Sequence, residues 1–181
     1  MEQKKHILPV SFYAMLFIMV LRLPLAASDA IVTAGDILSV ALPLSAGGFT
    51  AYNRDWKGTL QFAESAALNE GVTYSLKYLI NEKRPNGGNY SFPSGHSSIS
   101  FVTAEFMRKH YGWQYGLPYY ALAAFVGYSR IEGHYHYFHD VAAGAGIGFL
   151  SAFVFTRPYK GISITTVSNA RYLGLLVEGK F

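Results

Sequence analysis

Residues 128–140 concentrate groups that bind anions or transfer protons, and an uncharged apolar segment follows at once. His136 and Asp140 are four residues apart, a spacing that places two side chains on one face of a helix. A carboxylate on one imidazole nitrogen fixes the tautomer and leaves the other nitrogen as a base or nucleophile. Arg130 adds a planar fork of donors that suits phosphate oxygens.

The same segment also has the pattern H-x-H-x-x-H-D, which is a ligand set for zinc or another divalent metal. Its members are His134, His136, His139 and Asp140. In the plainer interpretation, which we favour for His134 and His139, those two are ordinary loop residues. The pattern alone therefore leaves a metal site, a catalytic histidine and a polar loop open.

Two cations precede this segment. Lys77 and Arg84 are seven residues apart, two helical turns, so they share a face of a predicted helix that Pro85 ends. Two long cations at a helix end suit a polyanion. A lysine and an arginine on a helix are more often solvated surface residues, so this pair needs support from elsewhere.

The sequence FPSGHSS (92–98) predicts a tight turn followed by a helix start. Ser94 or Ser97 can cap that helix, and free backbone N–H groups at such a start bind anions. His96 sits there and can give or take a proton. The alternative is a capped turn with an incidental histidine.

These residues require elements that bring them together. The apolar pattern predicts helix candidates at residues 37–51, 59–80, 97–110, 117–128 and 141–155, after the N-terminal apolar segment. If consecutive helices alternate in direction, the chemical segments gather at one end and most basic residues at the other. None of the candidates has 18 consecutive apolar residues, so buried core helices and membrane helices both remain open.

The ends of the chain differ from its middle. Residues 1–28 have the layout of a secretory signal peptide or of an N-terminal membrane anchor over residues 10–27, and both place the following chain outside the cytoplasm. Residues 29–160 form the predicted helical domain. Residues 161–181 change pattern and predict a short C-terminal β-hairpin.

Composition narrows the function classes. Of 181 residues, 51% are hydrophobic and 14% are charged, against about 25% charged in ordinary soluble domains. The low value favours a membrane protein or an apolar bundle. The net charge of +4 is scattered, so no nucleic-acid surface is predicted. The absence of cysteine excludes disulfides and thiolate chemistry.

The order and spacing of the three segments are more specific than any one of them. K-x6-R-P from Lys77, P-S-G-H ending at His96 and S-R-x5-H-x3-D ending at Asp140 together resemble the type 2 phosphatidic acid phosphatase superfamily. That family includes lipid phosphatases, class A acid phosphatases and vanadium haloperoxidases. The match runs from Lys77 to Asp140 without departure, and the resemblance implies an all-α helical bundle of about five to six helices that needs no cofactor.

The resemblance also implies a role for each residue. His136 would attack phosphorus to form a phosphohistidine, Asp140 would orient it, and His96 would protonate the leaving oxygen and then activate water. The phosphate oxygens would be held by Lys77, Arg84, Ser94, Gly95 and Arg130. No metal takes part in this mechanism.

The resulting hypothesis is a metal-independent phosphatase of a lipid phosphate or pyrophosphate, at the membrane of a bacterial cell envelope with its active site facing the periplasm. A soluble periplasmic nonspecific acid phosphatase is the nearest alternative if the leader is cleaved. A vanadate-dependent haloperoxidase would use the same pocket, and a metal-binding envelope module would use the histidine cluster. The sequence specifies neither the phosphate ester nor the oligomeric state.

Overall fold

The computed structural model describes residues 28–159, 162–169 and 172–179. These ranges contain five α-helices and two strands. The elements are α1 (Ser28–Tyr52), α2 (Trp56–Ile80), α3 (Gly95–Tyr111), α4 (Trp113–Glu132), α5 (Phe138–Phe155), β1 (Ile162–Asn169) and β2 (Tyr172–Gly179). The predicted all-α bundle is confirmed. All five helices start before their predicted N-termini, because polar first turns hide the start of a helix from an apolar pattern.

Helix α3 is the centre of the bundle and packs against each of the other four helices. Val102, Ala104, Phe106 and Met107 on α3 have no exposed surface. They are in one apolar cluster with residues of α1 and α4. Because α3 packs against all four other helices, its N-terminus is held in a fixed position, as a binding site at that end requires.

Helix α2 ends where its helix candidate at residues 59–80 ends, and before Pro85. Its last residue is Ile80, and Asn81 takes the left-handed conformation (φ 45°, ψ 44°) that often closes a helix. The predicted range therefore has the right end, whereas the prediction that Pro85 ends a helix carrying both Lys77 and Arg84 was wrong. Lys77 lies in the last turn of α2, whereas Arg84 lies in the following loop and not on the same helical face.

Two glycines let α5 lie close to α3. A Cβ on Gly144 would overlap the carbonyl oxygen of Ser94, and a Cβ on Gly148 would overlap that of Ser98. Gly146 on the same helix has open space around it. The N-terminal halves of α3 and α5 therefore meet through backbone contacts, which places the segments that end at His96 and at Asp140 side by side.

The C-terminal segment contains two antiparallel strands. Ile162 pairs with Gly179, and Asn169 pairs with Tyr172, at the positions predicted for a hairpin. The predicted leader or anchor lies outside the described residues, except for Ser28 at the start of α1. The structure does not test the division of the chain at residues 28 and 160.

Two helices are long and apolar enough to cross a bilayer, judged by length and composition. They cover Asp29–Tyr52 and Phe138–Phe155, each with a mean hydropathy of 1.5. Both remain largely uncovered by the rest of the described chain. On α1 the exposed apolar side chains include Val40 and Leu44, and on α5 they include Leu150 and Phe153.

Candidate active site

His136 and Asp140 lie together in the interior at one end of the bundle. Nδ1 of His136 is 3.4 Å from Oδ2 of Asp140, and both side chains are almost completely buried. Asp140 is in the first turn of α5, but His136 lies in the loop before that helix. The contact therefore comes from the loop folding over the helix start, and not from a shared helical face as the sequence suggested.

Other groups fix the carboxylate of Asp140. Its Oδ2 accepts a hydrogen bond from the Ser91 hydroxyl (2.5 Å) and another from the Tyr137 backbone N–H (2.9 Å). Its backbone carbonyl accepts from the N–H of Ser94 (3.0 Å). Because the carboxylate is anchored, it can hold Nδ1 of His136 and leave Nε2 of the ring for chemistry.

The surroundings keep the His136 ring neutral. Burial lowers its pKa to about 4, and the charges of Lys77 and Arg84 act in the same direction. Asp140 opposes these effects but does not outweigh them. A neutral imidazole has a free lone pair, which a nucleophile or a general base requires.

Lys77 and Arg84 reach this end of the bundle by different routes. Lys77 Nζ donates to the carbonyl of Tyr90 (2.9 Å), and Arg84 Nε donates to the carbonyl of Asn89 (3.0 Å). Each cation therefore holds the α2–α3 loop by a hydrogen bond, while its charge lowers the pKa of His136. The loop is in turn tied to the His136 loop by a bond from the Asn86 N–H to the carbonyl of His134 (3.1 Å).

The N-terminus of α3 opens toward the same region. Ser94 is the N-cap, and its hydroxyl accepts from the N–H of Ser97. Gly95 is the first helical residue, and a Cβ there would touch side-chain atoms of Lys77 (3.8 Å) and Thr73 (3.9 Å) at ordinary distances. The first backbone N–H groups of α3, which have no acceptor within the helix, thus lie beside a lysine, an arrangement that can bind an oxyanion.

His96 follows in the first turn of α3 and is partly exposed. Burial lowers its pKa below the ordinary 6.5, and the nearby charge of Arg130 adds to this. Asp36 opposes the shift through its charge and a hydrogen bond. Nε2 of His96 is 3.1 Å from Oδ1 of Asp36.

Arg130 lies in the last turn of α4 and is 3% exposed. Its Nη1 is 2.6 Å from Oδ1 of Asp36, so Arg130 and His96 share one carboxylate oxygen. The structure therefore gathers the eight residues selected from the sequence at one end of the bundle. It adds two that were missed, Asp36 and Ser91.

The predicted four-residue metal set does not assemble. Among the described residues, the potential ligand atoms that lie within 4.8 Å of one another belong to Glu82, His139 and Asp140. His139 Nε2 is 3.0 Å from Oε1 of Glu82, so this ring nitrogen has a polar partner other than an ion. His134 and His136 are not members of the group.

A model of the PAP2 superfamily matches residues 86–162 of this chain. A lipid A 4'-phosphatase from Helicobacter pylori is 31% identical over 138 residues, which are 70% of this chain and 69% of that protein. The chain belongs to the PAP2 superfamily. It is accordingly a phosphatase, a hydrolase of phosphoric monoesters.

Two further comparisons agree with this assignment. A lipid A 1-phosphatase from Helicobacter pylori is 31% identical to this PAP2 phosphatase over 133 residues, which are 68% of this chain and 66% of that protein. The crystal structure of Aquifex aeolicus LpxE superposes with a TM-score of 0.64 at 19% identity, covering 85% of this chain and 98% of that one. At that identity the superposition supports the fold alone.

Proposed function

We propose that this PAP2 phosphatase removes a phosphate group from a membrane lipid of the lipid A class, through a phosphohistidine on His136. The observation that carries the proposal is the anchored pair of His136 and Asp140 beside Lys77, Arg84 and the start of α3. The 4'- and 1-phosphatases of lipid A among its relatives support this substrate class.

The proposed reaction has two displacement steps. Nε2 of His136 attacks phosphorus while the bond from phosphorus to the lipid oxygen breaks, and His96 gives its proton to that oxygen. Water then attacks phosphorus, His96 takes a proton from the water, and the P–N bond to His136 breaks. The products are a lipid alcohol and inorganic phosphate, and His96 is again protonated.

Charge neutralisation and positioning are the main contributions of a protein to phosphoryl transfer. Lys77, Arg84 and Arg130 supply three positive charges, and the N-terminus of α3 supplies N–H donors. Gly95 leaves this helix start open to a phosphate oxygen, and the Ser94 hydroxyl lies beside it. These groups can balance the charge on the transferred phosphoryl group without a metal ion.

The rim of the site suits a substrate with an apolar body. Tyr78 and Leu79 follow Lys77 directly and are 69% and 81% exposed, and Phe138 beside the His136 loop is 75% exposed. Exposed aromatic and aliphatic side chains at one level of a bundle are typical of a membrane interface. The phosphate site would then open at the depth of lipid headgroups.

A location in the membrane is supported by the apolar, largely uncovered surfaces of α1 and α5. Leaving these faces in water would be unfavourable, because burial of one aliphatic side chain contributes about 1.5–3 kcal/mol of stability and an exposed side chain loses that contribution. Hydrocarbon chains of lipids would cover them. This supports an integral membrane enzyme rather than a soluble periplasmic one.

The orientation follows from charge. Lys109 Nζ donates to the carbonyl of Phe153, and the N–H of Arg157 donates to Oε1 of Gln61. These bonds hold the C-terminal ends of α3 and α5 near the start of α2, at the end of the bundle opposite the active site. Lys57, in the first turn of α2, lies at that same end. Lys and Arg favour the cytoplasmic side of a membrane, so the active end would face the periplasm.

Phosphate release tests the catalytic part of the proposal. Wild type, His136→Ala and the control His134→Ala would be purified in mild detergent and assayed in EDTA. The panel is lipid A, undecaprenyl pyrophosphate, phosphatidate and p-nitrophenyl phosphate. His134 is a matched control because it is an exposed histidine of the same loop.

We expect release from lipid A by wild type and His134→Ala and none by His136→Ala. A preference for p-nitrophenyl phosphate over every lipid would overturn the substrate class and favour a nonspecific acid phosphatase. Activity that needs added zinc or manganese would overturn the metal-independent mechanism. An acid-labile label on wild type after reaction with radiolabelled lipid A, absent from His136→Ala, would identify the phosphohistidine.

A further inference from the structure

The guanidinium of Arg130 is held by the protein on three sides. Nε donates to the hydroxyl of Ser129 (3.1 Å), Nη1 to Oδ1 of Asp36 (2.6 Å) and Nη2 to the carbonyl of Val32 (2.7 Å). A guanidinium has five N–H donors, so one remains free on each terminal nitrogen. Arg130 therefore has a fixed orientation before any phosphate binds.

Asp36 connects this arginine to the second histidine. The oxygen that accepts from Arg130 is also 3.1 Å from Nε2 of His96. The carboxylate of Asp36 is 51% exposed, whereas the side chain of Arg130 is 4% exposed. One acidic group of α1 thus joins residues of α3 and α4 at the edge of the phosphate site.

The backbone next to Asp36 is adapted to this contact. A Cβ on Gly35 would lie 2.7 Å from Cβ of Ser129 and 2.8 Å from Nη2 of Arg130. Real Cβ atoms do not approach other atoms so closely, so a larger residue would push α1 away from α4. Gly35 is the small residue that allows Asp36 to reach Arg130.

We propose that Asp36 is a positioning residue that holds His96 by Nε2 and Arg130 by Nη1, so that Nδ1 of His96 exchanges the proton with the leaving oxygen. The inference rests on the proposed function, because it assigns Asp36 a part in the same reaction. The Nε2–H of His96 donates to Asp36, which fixes the ring and its tautomer. The negative charge also stabilises the protonated ring that the first step needs.

The charges around His96 set the expected pH effect. Burial lowers the pKa of the ring, Arg130 and Arg84 lower it further, and Asp36 acts in the opposite direction. Neutralising Asp36 removes the group that favours the protonated form. The basic limb of the rate profile, which reports loss of the His96 proton, then moves to lower pH.

The test compares Asp36→Asn with the control Asp29→Asn, a change of an exposed carboxylate on the same helix. With lipid A in detergent, we expect kcat of Asp36→Asn to fall at pH 7 by about tenfold or more, within the range of general acid catalysis. The basic limb should move to lower pH, and KM should change less than kcat. Asp36→Glu, which restores the charge, should return the limb toward wild type.

Asp36→Asn with wild-type kcat and an unmoved basic limb would overturn the inference. A lower KM with unchanged kcat would also overturn it, since Asp36 would then only compete with phosphate for Arg130. If Asp36→Asn fails to fold by circular dichroism and gel filtration, Asp36→Ser, which also removes the charge, is measured in its place: wild-type kcat with an unmoved basic limb would overturn the inference. Failure of the proposed function is distinguishable, because His136→Ala would then remain active.

Discussion

Oδ2 of Asp140 lies 2.5 Å from the hydroxyl of Ser91, a shorter contact than its 3.4 Å to Nδ1 of His136. Ser91 is fully buried and also lies 3.5 Å from Nδ1 of His136. The carboxylate that is proposed to orient the nucleophile is therefore itself held from the α2–α3 loop. The position of the His136 ring therefore depends on Asp140, and the position of the Asp140 carboxylate depends on Ser91.

Ser91→Ala should lower kcat/KM by about tenfold, which corresponds to the loss of a charge-assisted hydrogen bond of about 1.5 kcal/mol. The reason is that Asp140 would keep one fewer donor and would hold the His136 ring less firmly. The control is Ser65→Ala, which removes a buried serine whose hydroxyl bonds only its own helix, to the carbonyl of Gln61. Equal activities for the two variants in the lipid phosphatase assay would contradict this role.

The pH profile of kcat/KM should lie on the acidic side of neutrality. His136 must be neutral to attack, and its pKa of about 4 keeps it neutral until the pH falls to that value. His96 must be protonated to act as an acid, and burial lowers its pKa below 6.5, so activity should fall as pH rises past a value under 6.5. Phosphate release between pH 3.5 and 9, covering both limbs (~4 and below ~6.5), measures this.

The second ionisation of a phosphate monoester, near pH 6, must be titrated separately and divided out. An acid limb near the ordinary histidine value would show that the ring of His136 is not kept neutral by its surroundings. His134→Ala should reproduce the wild-type profile in full.

Gly144→Ala should impair both stability and activity. The added Cβ would overlap the carbonyl oxygen of Ser94 and lie 3.3 Å from Cβ of Ser97, so α5 would have to move away from α3. Overpacking of this kind costs about 1–3 kcal/mol, and the move would carry Asp140 away from Ser91. Thermal unfolding and kcat measure the two effects, with Gly146→Ala as control because its Cβ enters open space.

A cluster at the opposite end should affect stability without affecting chemistry. Asp55 caps α2 by accepting from the N–H of Gly58, and its other oxygen binds His110 Nε2 (2.6 Å) and the Tyr111 hydroxyl (2.8 Å). Asp55→Ala should destabilise the fold by about 3 kcal/mol, because it removes a cap and one partner of a buried pair. Its kcat at low temperature should match wild type, with exposed Asp29→Ala as the control; an equal loss of kcat would contradict the separation.

The segments that carry the candidate site residues could be selected from the sequence, because each is short and local. The cap at Ser94 and the helix that follows it are set by near neighbours. The contact of His136 with Asp140 was predicted on a shared helical face and comes instead from the loop before α5. The helix candidate at residues 59–80 ends where α2 does, but Arg84 was also placed on that helix, because a proline is a visible helix breaker and the left-handed conformation of Asn81 is not.

Asp36 could not be selected in the same way. It is separated from Arg130 by 94 residues, and their contact depends on how α1 packs against α4. Ser91 is separated from Asp140 by 49 residues and lies among several serines of similar sequence context. In both cases the partner is chosen by tertiary packing, which a single sequence does not display.

The close contact of α3 and α5 at two glycines fixes the geometry of one part of the active site and leaves the rim of the site free to vary. Gly144 and Gly148 lock two helix backbones together, so the distance between the His136 end of α5 and the α3 helix start is not free to follow the ligand. Differences between headgroups must then be accommodated by α1 and by exposed rim residues such as Leu79 and Phe138. Substrate preference can therefore drift by change at the rim while the chemical step stays the same.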